Sequence, residues 1–260
     1  FEAHQVAADR VVALKVLARH LAAKPGFVSR FQREAQVMAQ LDHANILRCH
    51  DFGAVQGFYF LAMEYVDGGS LEEMLRREGR LSLADAVHIA LACARALQHA
   101  HQLNLVHRDV KPDNVLLTRD GQIKLADLGL AKSQDDSLNL TRLGSGVGTP
   151  LYMPPEQARG SRHVDARSDI FALGCMLYRM LTGTLPYKGE SLVDLIVAKE
   201  EDSFPRPWQH NPSIPDRLDR IVARMLAGDP KRRFPSCAEL IKQLEALKLA
   251  GRKLSLQTDY

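Results

Sequence analysis

The chain has 260 residues, 46% of them hydrophobic and 25% charged, with a net charge of +3 and four cysteines; this is enough length and apolar content for one large domain or two lobes around a substantial core. The small, dispersed positive charge leaves no footprint for nucleic acid, and no apolar run is long enough to span a membrane, the strongest candidate, Ile170 to Leu181, being short and interrupted by Arg179. Cys49, Cys93, Cys175 and Cys237 show no C-x-x-C spacing, which suits a reducing compartment and offers no evident metal site.

In chain order, residues 1 to 63 read as a strand, a helix and two further strands. The first strand, Val11 to Leu17, is apolar on both faces except at Lys15, which shares a face with Val11, Ala13 and Leu17. From Phe27 to Leu41 a helical period puts Phe27, Phe31, Met38 and Leu41 on one stripe, with Glu34 in its middle. One cation and one anion that each face a core are best explained by pairing with each other. The alternative is a Lys15 that snorkels and a Glu34 at the edge of its stripe. The last strand of this part is Gly57 to Met63.

Gly68-Gly69 then breaks the chain, and Ser70 to Glu73 form a capping box that opens a short helix. Ser82 to Asp85 start a second helix, rich in Ala and Leu on most faces, that runs to about Gln102. A buried helix runs from Ala166 to Leu181 and is stopped by Gly183. Phe204 to Pro215 read as a proline-rich surface loop carrying Trp208. Ser236 to Glu239 cap a final helix ending near Gly251, and Arg252 to Tyr260 read as the start of a linker or tail.

The chemistry lies between these helices, in His107-Arg108-Asp109-Val110-Lys111-Pro112-Asp113-Asn114, followed by Asp127-Leu128-Gly129 and Pro155-Glu156. Asn114 opens a β-prone run, Asp120-Gly121 signals a hairpin turn, and a second run leads to Asp127. With Asp120 and Gly121 as the two central turn residues, Asn114 faces Asp127, so two hard oxygen ligands sit side by side as Mg²⁺ requires. Asp109 lies just upstream, where a carboxylate can accept the proton of an attacking hydroxyl, and Lys111 can neutralise charge on a phosphate in flight. Singly, each Asp or Asn reads as a turn or cap residue. As an ordered set at these gaps they read as a phosphoryl-transfer site.

The set H-R-D-x-K-x-x-N, D-L-G and P-E, preceded by Ala13-Leu14-Lys15, resembles the eukaryotic-like bacterial Ser/Thr protein kinases over residues 1 to about 248. The resemblance implies an α+β, bilobal fold: a small β-rich N-lobe at 1–63 with one regulatory helix, a hinge at 64–67, a larger helical C-lobe at 68–248 and a tail or linker from 249–260. It implies ATP with Mg²⁺ or Mn²⁺. Asp109, Lys111 and Asn114 would be catalytic, and Asn114 and Asp127 would hold the metal. Lys15, positioned by Glu34, would bind the α- and β-phosphates. Ala13, the gatekeeper Met63, the hinge residues Glu64 and Val66, and Leu116 would surround the nucleotide. Met38, Cys49, Leu128 and His107 would stack across the lobes, with Leu128 replacing the usual Phe and His107 a packed histidine rather than a ligand.

Between Asp127 and Glu156 the chain is rich in hydroxyls and glycines, including Ser133, Ser137, Thr141, Ser145 and Thr149. The resemblance makes this a loop whose phosphorylation, at Thr141 first or Ser145 second, would be read by Arg108. Thr149 would touch Asp109 and Lys111 and, with Lys111, favour Ser/Thr over Tyr as acceptor. Glu156 would pair with Arg233, and Asp169 would hold the backbone around His107. Protein substrates are the implied partners, with a homodimer for phosphorylation in trans, and the implied location is cytoplasmic, alone or as part of a longer membrane-anchored protein. The family's Gly-rich loop would precede Phe1 and is expected to exist in the protein. Without it ATP would lose its backbone clamp, which is the ground for the alternative, a pseudokinase acting as a nucleotide-sensing or scaffolding module.

Overall fold

In the computed structural model, residues 1–127, 149–160 and 164–255 are described, with the side chains of Glu34 and Thr149 excepted. The expectations that fall on Leu128, Ser133, Ser137, Thr141 and Ser145 therefore lie outside the described residues, as do those on the side chains of Glu34 and Thr149.

The N-terminal part is built on an antiparallel sheet of β1 (Glu2–Gln5), β2 (Arg10–Val16), β3 (Cys49–Val55) and β4 (Phe58–Glu64), in the order β1-β2-β4-β3. Its tightest turn joins β3 to β4 through Gln56 and Gly57 alone, both at positive φ, which matches the twist of the flanking strands. Glu2 to Gln5, which the sequence reading did not assign, pairs with Arg10 to Ala13. Its composition carries no apolar alternation, so its strand state comes from a neighbour's free edge rather than from its own side chains.

Between β2 and β3 lie α1 (Arg19–Ala22) and α2 (Phe27–Met38). Phe31 and Met38 of α2 are buried, as the stripe predicts, while Phe27 is half-buried and Ala35, outside the expected stripe, is buried as well. The helix ends at Met38 rather than Leu41, which is buried in the turn beyond.

The remainder is helical: α3 (Leu71–Glu78), α4 (Leu83–Gln102), α5 (Thr149–Tyr152), α6 (Pro155–Ala158), α7 (Ala166–Thr182), α8 (Leu192–Glu200), α9 (Pro207–His210), α10 (Asp216–Met225) and α11 (Cys237–Glu245). The Ser70–Glu73 capping box is formed, with Glu73 N–H on Ser70 Oγ at 3.2 Å and Ser70 N–H on Glu73 Oε2 at 2.7 Å. α7, buried on nearly every face, is capped by Asp165 and ends at Gly183 in the left-handed conformation. α4, α10 and α11 pack around this core. Within the proline-rich loop α9 forms, leaving Trp208 half exposed. α11 stops at Glu245, short of the expected Gly251. The stretch beyond it, read as a tail from 249, packs Leu249 and Leu254 on the core and hydrogen-bonds Ser255 N–H to buried Asp85 at 2.8 Å.

Two short strands, β5 (Val115–Leu117) and β6 (Ile123–Leu125), form the predicted hairpin on α4, but its register differs from the expected one. A two-residue turn of the kind expected needs positive φ at both Asp120 and Gly121, and only Gly121 has it. The loop instead holds three residues, with Thr118 N–H on Gln122 O at 3.0 Å and Gly121 N–H on Thr118 O at 2.9 Å. Asn114 therefore sits opposite Ala126, whose N–H it accepts at 2.8 Å, and Asp127 follows one residue later.

Candidate active site

The segment after α4 is held in an unusual backbone path by one carboxylate. Asp169, buried in the first turn of α7, accepts the N–H of His107 on Oδ2 and that of Arg108 on Oδ1, both at 2.8 Å, and His101 Nε2 meets Oδ2 at 2.8 Å. Arg108 stands at φ 63°, a conformation costly for a residue with a Cβ, and these bonds, together with Gln157 Nε2 on its carbonyl at 2.9 Å, over-determine it. The expected role of Asp169 is thus observed.

His107 is fully buried. Asp109 N–H donates to its Nδ1 at 3.3 Å, so the ring proton lies on Nε2 and points at Ala126 O, 3.1 Å away. Burial pushes its pKa below the ordinary imidazole value. It is a packed, neutral histidine that ties the backbone at Asp109 to Ala126, the residue preceding Asp127.

With the loop fixed, Asp109, Lys111 and Asn114 converge. Asn114 Nδ2 donates to Asp109 O at 2.8 Å and to Asp109 Oδ2 at 3.2 Å, and Lys111 Nζ lies 3.4 Å from the same Oδ2. Because its amide nitrogen is committed to Asp109, Asn114 turns its Oδ1 elsewhere, as an oxygen ligand would. Lys15 Nζ, from β2, lies 2.6 Å from Asp127 Oδ1, closing a link between the sheet and the hairpin end. The pairing proposed for Lys15 and Glu34 rests on a side chain outside the described ones; among the described side chains Lys15 pairs with Asp127. Asn114 and Asp127, an amide and a carboxylate on adjacent strand ends, are the hard oxygen donors a divalent cation takes.

Ala13 and Met63 are direct cross-strand partners, and Cys49 stands on the other side of Met63. Met38 is buried and Cys49 half-buried. Glu64, at the end of β4, has its carboxylate engaged by Lys124 Nζ at 2.8 Å and by Arg48 N–H at 3.3 Å, so any contact it makes to a nucleotide comes from its backbone. Val66 and Leu116 are half-buried against the core, after the end of β4. The described contacts do not join them to Ala13.

Beyond the loop, Arg233 forks onto Glu156 with bonds of 2.7 and 2.9 Å, as the sequence suggested. Tyr152, Met153, Pro154 and Gln157 line a crevice together with Arg108, Asp109 and Val110, which places α5 and α6 against the segment that carries Asp109. Arg108 makes no side-chain ion pair among the described residues. Three participants escaped the sequence reading: Lys124, Lys199 and the pair Glu72–Arg179, the last also bonding Tyr152 Oη at 2.7 Å. Only Arg179, an ion in an apolar helix, left a signal.

The family model for the protein kinase domain matches residues 1–244. Among curated relatives, the serine/threonine-protein kinase PknE of Mycobacterium bovis is 39% identical over 240 residues, covering 92% of this chain and 42% of its own length. Serine/threonine-protein kinase PrkC of Bacillus subtilis is 36% identical over 261 residues, 99% of this chain and 40% of that protein. PknB of Mycobacterium leprae, also named a serine/threonine-protein kinase, is 38% identical over 243 residues, 92% of this chain and 39% of that protein. The chain thus spans about two fifths of the length of these relatives.

Proposed function

Because this chain belongs to the protein kinase family, we propose that it transfers the γ-phosphoryl group of ATP to Ser or Thr hydroxyls of protein substrates. The observation that carries the reading is the convergence of Asp109, Lys111 and Asn114 on one loop beside the Lys15–Asp127 pair. Asp109 Oδ2 accepts the proton as the acceptor hydroxyl oxygen bonds to the γ-phosphorus and the bond from that phosphorus to the β-γ bridging oxygen breaks, leaving ADP. Lys111 stabilises negative charge on the transferring group, and Lys15 meets the α- and β-phosphates. A divalent cation, Mg²⁺ in this reading, would be held by Asn114 and Asp127 and would offset phosphate charge. Ala13, Met63, Val66, Leu116 and the backbone of Glu64 surround the adenine, with 1–63 and 68–248 acting as lobes about a hinge at 64–67.

The regulatory part of the proposal assigns Arg108 to a phosphate on Thr141 or Ser145, placed in trans by a second copy of the chain, in the cytoplasm. Among the described residues no helix is long and apolar enough to cross a membrane.

Incubation of the chain with radiolabelled ATP, Mg²⁺ and dephosphorylated casein tests the chemistry. Wild type is expected to label casein on Ser and Thr, and Asp109→Asn to lose transfer while still showing a nucleotide-induced rise in melting temperature. Equal labelling by the two proteins would overturn the assignment of Asp109.

A further inference from the structure

α8 buries two positions, Leu195 and Lys199, one helical turn apart. Lys199 therefore occupies the apolar stripe of its helix, and only 1% of it is exposed. Among the described residues no carboxylate pairs with it. Its Nζ donates instead to two main-chain oxygens, Pro150 O at 2.6 Å and Met153 O at 2.8 Å, and stands 6.0 Å from the centre of the Phe171 ring. A buried ammonium without a counter-ion is a costly way to fill an apolar position that a Leu or Met would fill with gain. Such a choice points to what the amine holds.

The helix end that carries Lys199 is itself clamped. A Cβ on Gly228 would lie 2.6 Å from Lys199 O and 2.8 Å from Glu200 O, so the loop at 227–229 presses directly on the backbone of α8. Arg233 holds that loop through Ala227 O at 2.7 Å and Gly228 O at 3.0 Å while gripping Glu156. Two buried cations thus brace one short stretch from the same side. Arg233 fixes its far end at Glu156, and Lys199 fixes its near end at Pro150 and Met153. The braced stretch forms one wall of the crevice whose other wall contains Arg108, Asp109 and Val110.

We propose that Lys199 is a positioning residue for the phosphate acceptor: by tying the Pro150–Met153 turn to α8, it sets the wall against which a protein substrate lays its Ser or Thr hydroxyl toward Asp109. The proposal rests on the kinase reading. It predicts an effect on the acceptor and not on the nucleotide, because the turn it holds ends at Met153, which lies beside Asp109, while Lys15 and Met63 are on strands that Lys199 does not touch.

Steady-state kinetics with casein and ATP varied in turn give the test, on wild type, Lys199→Met, which removes both donors at similar volume, and Lys199→Gln, which keeps an amide donor of shorter reach. The expected result is a KM for casein raised by about tenfold in Lys199→Met and by less in Lys199→Gln, with the KM for ATP within about twofold of wild type. A purely structural lysine would instead change both KM values together, or neither, and either pattern overturns the proposal. Should the variants not fold, the unmodified chain answers: the ¹⁵N resonance of the Lys199 amine is expected to move on addition of casein and not of ATP, and a resonance indifferent to casein rejects the assignment. A wild type that labels no acceptor at all removes the ground of both this inference and the kinase reading.

Discussion

Asp169 concentrates more of the site's geometry than any residue that would touch a reactant. Its carboxylate accepts the backbone N–H groups of His107 and Arg108 and meets His101, and it is buried, so water cannot replace what a substitution removes. Asn at this position keeps one acceptor oxygen and turns an amide N–H₂ toward donors. The expected outcome for Asp169→Asn is a loss of about 2–3 kcal/mol in chemical denaturation, with kcat down by about tenfold or more and the KM for ATP little changed. Unaltered kcat in a folded variant would show that Arg108 keeps its φ of 63° without this carboxylate. Asp169 and the Glu156–Arg233 fork were expected from the family resemblance, which assigns each of these residues by the motif it stands in. Lys124 and Lys199 were not. The partner of Lys124 is Glu64, far away in the chain, and those of Lys199 are backbone carbonyls, which leave no trace in residue type.

At the level of elements, helices proved easier to read than turns. Hydrophobic period and capping residues mark the start of α3 and both ends of α4 and α7 to within a residue or two, because their signals are local. The hairpin of β5 and β6 was legible as a hairpin, but Asp-Gly does not say whether two or three residues make the loop, and one residue shifts every cross-strand partner. Here Thr118 decides it: its Oγ1 accepts Gln122 N–H at 2.8 Å and its side chain also bonds Asp120, which fixes a three-residue loop with Gly121 in the left-handed region. Two glycines of this region are therefore expected to respond differently to alanine. At Gly121, φ 83°, an added Cβ meets nothing closer than Leu254 at 3.7 Å, so Gly121→Ala is expected to lose only the conformational term, about 1 kcal/mol. At Gly68 a Cβ would stand 2.4 Å from Leu117 O, a backbone atom that cannot turn aside, and the shift needed would disturb the strand behind Asn114. Urea unfolding of the two variants separates them; a Gly68→Ala loss no larger than that of Gly121→Ala would show that the segment at Gly68 and the hairpin can part at little cost.

Across the whole molecule, buried ionisable groups make stability depend on pH in opposite directions, and the windows can be told apart. Burial pushes the Lys199 amine down from 10.5 to about 8. Between those values the unfolded chain binds more protons than the folded one, so this lysine makes stability rise as pH rises from about 8 toward 10.5, and below pH 8 its charge opposes folding. Burial pushes the Cys93 and Cys175 thiols up to about 12, and that of Cys237 up as well. Those groups keep protons that the unfolded chain releases above about pH 9, so they make stability fall there. Comparing wild type with Lys199→Met cancels the Cys93 and Cys237 thiols, which both proteins carry, and leaves the lysine together with its coupling to the Cys175 thiol, which burial keeps protonated in the folded chain over this range. The other cation near the amine, Arg233, stacks over the same Phe171 ring at 4.7 Å and is paired with Glu156, and Glu200, the next residue, is engaged by Arg159. From pH 8 to pH 9 the stability of wild type relative to Lys199→Met is expected to increase by about 1 kcal/mol, the integral of a proton difference that averages about 0.7 over this pH unit. Denaturant unfolding of both proteins at the two pH values measures it. A constant difference would mean that Lys199 keeps its charge through this range, held by Pro150 and Met153 as an ammonium rather than as an amine.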